Sequence, residues 1–512
     1  MSDNHETYDI LVIGGGINGA GIAREAAGRG LKTMLVEKDD LAQHTSSAST
    51  KLVHGGLRYL EHYEFRLVRE SLIERETLLN MAPHIIWPMR FVLPHHKGLR
   101  PAWLLRLGLF LYDNIGGRKL LPPTSSVNLR QPPHDAILDT KLTRGFEYSD
   151  CWVEDSRLVV LNAMDARNRG ARIETRTRCA RLERSGSLWL AAMEPRVGNP
   201  YEVAARCVVN AAGPWVDEML TNALPDEAHQ NLRLVKGSHL IVPRLYEGEH
   251  AYIFQHSDKR IVFAIPYERR FTLLGTTDML FQGDPNEVAI SDEEARYICD
   301  AVNEYLASDV SPEDAVSTYS GVRPLYDDRS ASNSTVTRDY VFELEGGRSA
   351  PPILSVFGGK ITTFRKLAEH ALEKLERVGI RGSRPFNSKA PLPGGGFAAS
   401  EFEDYLAQQN AAYSWFPVLE MRRLVRAYGT RVIRILDEAQ STRDLGEHFG
   451  DGLYAAEALY LMAEEFAQTA EDILWRRSKL GLHIAPSTRE ALERWLRARP
   501  VETASDEEQA RR

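Results

Sequence analysis

The sequence has few cysteines and no long uncharged apolar run, and both shortages narrow the class of protein. Four cysteines are spread through 512 residues, at Cys151, Cys179, Cys207 and Cys299. None stand in CxxC spacing, which argues against a zinc site or a redox dithiol, and so few in a long chain favour a reducing compartment. No run of about 18 uncharged apolar residues occurs, so we expect no membrane-spanning helix.

The sequence also has no surplus of positive charge, and its first residues do not show the pattern typical of a signal peptide. The formal net charge is -8, which argues against a general nucleic-acid-binding protein, since such proteins are usually basic. The first residues, MSDNHETYDILVIGGG, have no basic n-region and no small-residue cleavage site, so we expect no signal peptide. A chain of 512 residues exceeds a single core, and we expect two or three domains.

The chain does have a glycine-rich turn near its start. Residues 8–13 form a short apolar run typical of a buried parallel strand, and GGGINGAG follows with glycines in GxGxxG spacing. The next stretch predicts a helix that ends near Gly28. A second strand at 32–36 then leads to Glu37, which lies 18 residues beyond Gly19.

Each part of this unit has a physical role in holding a dinucleotide. Gly14 permits the tight turn, Gly16 lets the backbone approach a pyrophosphate, and Gly19 lets helix and strand pack closely. The helix N-terminus offers N–H groups and a positive dipole to phosphates, and Glu37 can accept hydrogen bonds from a ribose. We therefore predict a dinucleotide site, although this unit alone leaves NAD and FAD both open.

Two later segments repeat the pattern of strand, glycine and helix. VVNAAGPWVDEM contains Ala212-Gly213, and PILSVFGGKITTFRKLAEHALEKL contains Gly358-Gly359. Each would aim a helix N-terminus at something anionic. Either segment alone could be a plain βα turn. Together with the first unit they indicate one large ligand that separated segments contact, which suits FAD.

A hydroxyl-rich loop and a compact polar cluster follow the second strand. Residues 45–50 supply hydroxyls either for a loop folded over the cofactor phosphates or for a solvated loop with a helix cap. HGGLRY at 54–59 brings a base, two glycines, a cation and a phenol together, which indicates an active site. His54 is the candidate proton acceptor, because imidazole titrates near neutral pH and nearby cations would hold it neutral. The alternative is a core histidine beside the cofactor.

Nine segments in order closely resemble the aerobic, flavin-linked glycerol-3-phosphate dehydrogenases of bacteria. They are GGGINGAGIA, TSSASTKLVHGGLRYLE, FEYSDCWVEDSRL, VNAAGPWVD, KGSHLIVP, GTTD, YSGVRPL, TRDY and FGGKITTFRKLAE. The resemblance runs from about residue 8 to about residue 390 and continues loosely through DILWRRSKLGLH. It implies a D-amino-acid-oxidase-like flavoprotein that binds FAD. The implied reaction oxidises sn-glycerol 3-phosphate to dihydroxyacetone phosphate, with the C2 hydride passing to flavin N5 and electrons to ubiquinone.

The resemblance also implies a set of site residues. Arg58, Tyr59, Arg323 and Lys360 match substrate-site positions, and a phosphate calls for such cations. Arg323 is also a candidate to polarise the substrate oxygen. Arg338 is a looser match, with an ion pair to a carboxylate as the alternative. The predicted cofactor contacts are Gly14, Gly15, Gly16, Ile17, Asn18, Gly19, Glu37, Lys38, Thr45, Ser46, Ser49, Ala212, Gly213, Trp215, Gly358, Gly359, Lys360, Ile361 and Thr362.

We predict an α/β protein, in which a Rossmann-like FAD-binding domain carries an inserted antiparallel-sheet substrate domain and is followed by a C-terminal all-helical domain. Alternating apolar and polar residues in 235–280 and 310–345 predict the antiparallel strands. The predicted boundaries are 1–90, 145–235 and 346–395 for the FAD-binding domain, 91–144 and 236–345 for the substrate-binding and membrane-facing domain, and 396–512 for the helical domain.

A segment at about residues 95–119 predicts contact with an anionic membrane surface. Its helical wheel has an apolar face opposite Arg106 and Asp113, with basic residues at both ends, which is typical of a helix that lies on a bilayer. The alternative is a buried core helix. The apolar face comprises Trp103, Leu104, Leu107, Phe110 and Leu111, and the basic residues are Lys97, Arg100, Arg118 and Lys119. The resemblance implies a peripheral protein on the cytoplasmic face of the inner membrane.

Several alternatives stay open at this stage. A glycerol-phosphate oxidase that forms hydrogen peroxide would carry similar motifs. An amine or amino-acid oxidase on the same fold would bind a carboxylate and an amine, which the surplus of cations matches less well. A flavoprotein scaffold without activity would leave the polar cluster unexplained. The sequence does not fix the oligomeric state, and a homodimer is one option.

Overall fold

The computed structural model describes residues 5–117, 120–224, 230–258, 260–327, 339–347, 349–388 and 390–499, without the side chains of Arg58, Glu61 and His62. Two large sheets and a set of C-terminal helices make up this part of the chain. The strands are Thr7–Ile13 (β1), Thr33–Val36 (β2), Leu52–Val53 (β3), Ile86–His95 (β4), Ser125–Asn128 (β5), Arg144–Val153 (β6), Arg172–Glu174 (β7), Thr177–Ser185 (β8), Leu188–Pro195 (β9), Tyr201–Asn210 (β10), Leu232–Pro243 (β11), Ala251–Gln255 (β12), Ile261–Tyr267 (β13), Phe271–Gly275 (β14), Met279–Leu280 (β15), Ser317–Tyr326 (β16), Val341–Glu345 (β17) and Ile353–Phe357 (β18).

The helices flank the first sheet and dominate the C-terminal part. They are Ile17–Gly28 (α1), Phe65–Met81 (α2), Ala102–Ile115 (α3), Asp155–Asn168 (α4), Val216–Ala223 (α5), Asp292–Asn303 (α6), Phe364–Arg377 (α7), Phe402–Ala412 (α8), Val418–Tyr428 (α9), Val432–Leu436 (α10), Ala455–Glu464 (α11) and Pro486–Arg497 (α12). Among the described residues, no helix is both long enough and apolar enough to cross a bilayer.

The first sheet has the order β17-β18-β10-β1-β2-β7, with β9 and β8 continuing from β10. Strands β18, β10, β1, β2 and β7 run parallel, so their carboxyl ends share one edge. Leu11 and Val12 of β1 are completely buried, as are Ala20 and Ala23 of α1. Small side chains on α1 let the neighbouring helices α4 and α7 approach closely. The three glycine-containing turns therefore meet at one edge of a rigid sheet.

The second sheet has the order β15-β11-β14-β13-β12-β4-β6-β3, with β16 on β11 and β5 on β6. Its pairs are antiparallel except for β4 with β12. Strand β3 ends immediately before His54, and β16 carries Arg323 opposite Val235 of β11. The second sheet therefore carries Arg323 and leads directly into the loop at His54. The predicted Rossmann-like unit, second sheet and C-terminal helical part are confirmed.

Sheet membership differs from the predicted boundaries at two strands. The sequence assigns residues 145–153 to the FAD-binding domain, but β6 pairs along ten residues with β4 in the second sheet. It assigns 341–345 to the substrate domain, but β17 pairs with β18 at the edge of the first sheet. In both places the pairing partner, rather than the neighbouring segment in sequence, decides the sheet. The division into domains itself stays a prediction.

The C-terminal helices have an apolar core of their own. Met421, Val425 and Leu461 are completely buried within it. The helices predicted from the sequence in this region are present as α8 to α12. The segment DILWRRSKLGLH adds a π-helical turn, Asp472–Arg477, which the sequence does not predict. This turn contacts Asp40 in the loop after β2 and Arg176 in the turn between β7 and β8 through buried charges.

Candidate active site

The turn between β1 and α1 leaves no room for side chains on its sheet side. A Cβ on Gly14, whose φ is +110°, would lie 2.4 Å from the Ala211 carbonyl oxygen, and a Cβ on Gly19 would lie 1.9 Å from that of Gly14. Gly16 is different, because its Cβ would meet only the Ser46 hydroxyl at 3.1 Å. The turn is tight against the sheet and open on the other side, as a pyrophosphate-binding turn requires.

Glu37 is held by the turn that it faces. Its Oε2 accepts the Gly15 N–H at 2.6 Å and its Oε1 accepts the Asp39 N–H at 2.8 Å. Burial raises the pKa of Glu37, while these two backbone N–H groups act in the opposite direction. Each carboxylate oxygen keeps a second lone pair that could accept a ribose hydroxyl.

The predicted hydroxyl contacts fall into two groups. The Ser46 hydroxyl accepts the Ile17 N–H at 3.0 Å, so it lies at the first residue of α1. Thr45 instead donates to the Val322 carbonyl at 2.7 Å, and Ser49 donates to the Asp155 carboxylate at 2.8 Å. Ser46 therefore lies at the fingerprint turn, whereas Thr45 and Ser49 tie the loop to the second sheet and to α4.

The second glycine unit contributes an open backbone and an aromatic ring. Gly213 has a φ of +58°, and a Cβ there would meet nothing within 4 Å, so this face of the turn is open space. The Trp215 ring lies 3.6 Å from Lys38 Nζ, which also donates to the Asn286 side chain. Lys38 and Trp215, both predicted cofactor contacts, thus form one wall beside Gly213.

The third glycine unit is tied directly to the first. The Asn18 side chain donates to the Gly358 carbonyl at 3.0 Å. Its buried Oδ1 has no hydrogen-bond partner among the described residues. A Cβ on Gly359 would approach this same Asn18 side chain within 3.0 Å. An open cradle at Gly16 and Gly213 together with this orphaned amide oxygen fits a large polar ligand that spans the three turns, as FAD would.

His54, Tyr59 and Lys360 come together beside the third turn. The His54 N–H donates to Thr362 Oγ1 at 3.3 Å, and Lys360 Nζ lies 4.2 Å from the centre of the Tyr59 ring. Lys360 Nζ is buried, and no hydrogen-bond partner for it occurs in the described part of the chain. Burial lowers the pKa of His54, Lys360 and Arg75 add to that shift, and Asp150 opposes it.

A buried hydrogen-bond network holds the loop that contains His54 and Gly55. The Gly55 N–H donates to the Tyr112 hydroxyl at 2.7 Å, and Tyr112 donates to Asp150 at 2.8 Å. Arg75 donates to the same carboxylate at 2.7 Å. Burial and then Asp150 raise the pKa of Tyr112 well above its ordinary value, so its proton stays in place. The sequence does not predict this support, because its members are dispersed over α2, α3 and β6.

The predicted arginines are less closely grouped. Arg323 donates to Thr276 Oγ1 at 3.2 Å and to Asp278 at 3.4 Å, next to β11. The Arg58 side chain and the whole of Arg338 lie outside the described parts. Asp339, the residue after Arg338 in the sequence, pairs with Arg66 at 3.3 Å. Arg323 is therefore the one predicted substrate arginine whose surroundings the described residues define.

His239 is a further candidate site residue that the sequence analysis did not select. It is 1% exposed, stacks on Tyr319 with ring centres 4.6 Å apart, and its Nε2 lies 3.0 Å from the Thr50 hydroxyl. Burial lowers its pKa well below the ordinary value, and Arg323 and Lys51 add to the shift. The signal in the sequence is KGSHLIVP, where His239 lies two residues after Gly237 and directly before an apolar run.

Helix α3 exposes the apolar face that the sequence predicts. Trp103 is 69% exposed and Phe110 is 62% exposed, and Leu107 and Leu111 are exposed beside them. The opposite side of the helix is buried through Leu109 and Tyr112. The alternative of a buried core helix is therefore wrong for this apolar face. Arg106 is exposed, so the expectation that it lies opposite the apolar face is wrong. Arg118 and Lys119 lie outside the described residues.

Family comparisons agree with these features. The profile described as FAD dependent oxidoreductase matches residues 9–365, and that described as C-terminal domain of alpha-glycerophosphate oxidase matches residues 387–509. The glycerol-3-phosphate dehydrogenase of Pseudomonas aeruginosa is 54% identical over 494 residues, which cover 96% of each chain. The D-erythritol 1-phosphate dehydrogenase of Brucella abortus is 51% identical over 491 residues, covering 96% of this chain and 98% of that one.

A solved structure extends the likeness to the fold. The glycerol-3-phosphate dehydrogenase from Bacillus halodurans, complexed with FAD, superposes with a TM-score of 0.77 at 28% identity. The superposition covers 99% of this chain and 93% of that one. The similarity therefore includes both sheets and the C-terminal helices.

Proposed function

The chain belongs to the FAD-dependent glycerol-3-phosphate dehydrogenase family, and on that premise we propose that it oxidises sn-glycerol 3-phosphate to dihydroxyacetone phosphate. FAD, when bound, supplies the acceptor for a hydride from C2 of the substrate. The protein's part is to bind the phosphate, to orient C2 toward the flavin and to take the hydroxyl proton. The predicted cofactor contacts around Gly14, Gly213 and Gly358 would hold the FAD.

Lys360 carries this proposal. Its Nζ is buried without a hydrogen-bond partner among the described residues, and it lies over the Tyr59 ring. A buried unpaired ammonium is costly unless a ligand compensates it. A phosphate with nearly two negative charges is such a ligand. Arg58 and Arg323 are proposed to share the phosphate or the C2 oxygen, and Arg338 remains a candidate from the sequence.

Two histidines compete for the role of proton acceptor. His54 stands beside Lys360 and is neutral near pH 7 because burial lowers its pKa. His239 is also neutral, lies near Arg323, and has a buried Nδ1 without a partner in the described chain. We keep His54 as the primary candidate, since it adjoins the cation that would bind the phosphate. His239 is the alternative.

A longer polyol phosphate is the second candidate substrate. The D-erythritol 1-phosphate dehydrogenase is almost as similar to this chain as the glycerol-3-phosphate dehydrogenase, at 51% against 54% identity. The flavin spectrum of the anaerobic protein tests both. We expect bleaching by sn-glycerol 3-phosphate with one dihydroxyacetone phosphate formed per flavin. Bleaching by D-erythritol 1-phosphate alone would replace the substrate assignment, and bleaching by neither would remove both.

The proposed electron acceptor is ubiquinone. The similar proteins reported above are named dehydrogenases, which favours an acceptor other than oxygen. Turnover with a soluble ubiquinone analogue should exceed turnover with air-saturated buffer. Stoichiometric hydrogen peroxide in air, at an equal or higher rate, would identify an oxidase instead.

The exposed face of α3 is proposed to bind the anionic membrane surface from which ubiquinone is reached. Exposed Trp103 and Phe110 provide apolar area, and Lys97 and Arg100 precede the helix. Sedimentation with vesicles of phosphatidylglycerol and phosphatidylethanolamine tests this at low salt. We expect the double variant Trp103→Asp, Phe110→Asp to stay in the supernatant. The control, Val418→Asp with Leu419→Asp, changes equally exposed apolar residues on α9 and should still pellet. Equal binding of both variants would exclude α3 as the membrane surface.

A further inference from the structure

The C-terminal helical part contacts the loop that follows β2 through a buried carboxylate, Asp40. Asp40 is 1% exposed and lies three residues after Glu37. Arg477 donates to both of its oxygens, at 2.6 and 2.8 Å, and Arg476 donates to Oδ2 at 2.5 Å. Both arginines belong to the π-helical turn Asp472–Arg477, at a sequence separation of more than 430 residues. Charge-assisted, bidentate contacts of this kind fix position as well as charge.

The same turn contacts the loop at a second point. Arg476 also donates to Asp472 at 2.6 Å, and Asp472 accepts a further bond from Arg176 at 2.6 Å. The Arg176 N–H in turn donates to the Asp39 carbonyl at 2.8 Å. The segment at Asp39 and Asp40 is therefore held through both its backbone and its side chain.

Asp40 lies within the loop that carries two fingerprint contacts. We name residues 37–46 the anchor loop. At its start the Glu37 carboxylate accepts the Gly15 N–H, and at its end the Ser46 hydroxyl accepts the Ile17 N–H. Between them the Ala42 N–H donates to the Gly15 carbonyl at 3.1 Å. Any displacement of Asp40 would move the groups that shape the cofactor turn.

We propose that Arg476 and Arg477 are positioning residues for FAD, through which the C-terminal helical part sets the conformation of the anchor loop. The loop's own lysine does not serve Asp40, because Lys38 is directed to Asn286 and Trp215. The cation for Asp40 comes from the far end of the chain. Docking of the C-terminal part and binding of FAD then strengthen one another by the same factor. This inference rests on FAD as the cofactor and is independent of the substrate.

The dissociation constant of FAD tests the proposal without any measurement of activity. The flavin-free full-length protein is titrated with FAD, and quenching of flavin fluorescence is followed. We expect Arg477→Met and Asp40→Asn to raise the Kd about tenfold or more, which corresponds to about 1.4 kcal/mol. Arg477→Lys keeps the charge but loses the bidentate geometry, so its Kd should fall between those of wild type and Arg477→Met.

Two control variants distinguish an effect on the position of the anchor loop from a general loss of stability in the C-terminal part. Arg431→Met breaks a partly buried ion pair with Glu464 inside the C-terminal part, at 2.7 Å. Arg423→Met breaks a buried pair with Glu457 inside the C-terminal part, at 2.7 Å. Both should bind FAD within about threefold of wild type, under 1 kcal/mol. An equal loss in these controls, or an unchanged Kd in both Arg477→Met and Asp40→Asn, would overturn the proposal.

A second readout covers the case in which Arg477→Met folds poorly. Proteolysis of the glycine-rich segment PLPGGGF at residues 391–397, which precedes the C-terminal helices, reports undocking of the C-terminal part. Linkage predicts that FAD slows cleavage of the wild type, and that this protection is lost in Asp40→Asn, which nearly preserves shape. Full protection by FAD in Asp40→Asn would contradict the role of the ion cluster.

Discussion

Asp40 and Lys360 both carry buried charged groups near the cofactor turns, but they differ in their partners. Asp40 accepts three hydrogen bonds from two arginines. Lys360 Nζ has none in the described chain and rests on an aromatic ring. Because unpaired buried charge is unfavourable, a protein keeps it where a ligand completes the pair. The buried ion pairs that join the C-terminal part to the rest of the chain, which we call the paired region, are suited to hold the protein's own structure. The surroundings of Lys360 and His54, which we call the unpaired region, are suited to receive an anion.

The largest expected effect is a loss of stability in the paired region. Arg157→Met leaves the buried Glu465 carboxylate without its ion-pair partner. We expect the free energy of unfolding to fall by about 3–5 kcal/mol, with KM unchanged. Urea unfolding followed by tryptophan fluorescence measures this. The exposed pair of Arg422 with Glu403 is the matched control, and Arg422→Met should cost about 0–1 kcal/mol. Equal losses of unfolding free energy in the two variants would mean that burial does not determine how much each ion pair contributes to stability.

His54→Gln tests the unpaired region by kinetics. Loss of a general base should slow anaerobic flavin reduction by about 100-fold or more in rapid mixing. The pKa of His54 lies below its ordinary value, so wild-type reduction should be constant near neutral pH and fall only as pH drops through that lowered pKa. This acid limb should be absent from His54→Gln. If His239→Gln removes the limb and His54→Gln does not, the proton acceptor is His239.

The ionisation of Asp472 should make the stability of the folded protein depend on pH. Burial acts to raise its pKa, but Arg477, Arg176 and Arg476 outweigh this and lower the pKa to about 2. A depressed carboxyl pKa stabilises the folded state above the unfolded value, and this contribution is lost as pH falls through the folded value. Asp472→Asn should therefore cost about 2 kcal/mol near pH 7. The difference from wild type should shrink between about pH 4 and pH 2. A difference that stays constant over this range would argue against the ion cluster.

Tyr112→Phe should have the smallest effect. It leaves the buried Gly55 N–H without an acceptor, which costs about 1–2 kcal/mol. We expect flavin reduction to slow about tenfold while the Kd for FAD stays unchanged. Tyr148→Phe is the control, because its buried ring packs with its centre 5.8 Å from that of Tyr112, while the Gly55 N–H donates to Tyr112 and not to Tyr148. The account of the loop support fails if both variants behave alike.

The sequence predicts those parts of the fold that are formed by residues close together in the chain. The turn from β1 to α1, the strand that leads to Glu37 and the exposed apolar face of α3 all follow from residues close in sequence. The Asp40 cluster does not, since its arginines are over 430 positions away and nothing near Asp40 indicates them. The placement of β17 and the stacking of His239 on Tyr319 likewise depend on strand pairing across long separations.

The central claim is that Lys360 binds the phosphate of the substrate. The preference of the enzyme for a phosphorylated over an unphosphorylated substrate tests this claim most directly. Rate constants for anaerobic flavin reduction by sn-glycerol 3-phosphate and by glycerol are compared in wild type and Lys360→Met. Loss of a charge-assisted contact to phosphate should cut the preference for the phosphate ester by about 100-fold, or about 2.7 kcal/mol, and leave the rate with glycerol unchanged. An undiminished preference in Lys360→Met would contradict the assignment of the unpaired ammonium as the phosphate site.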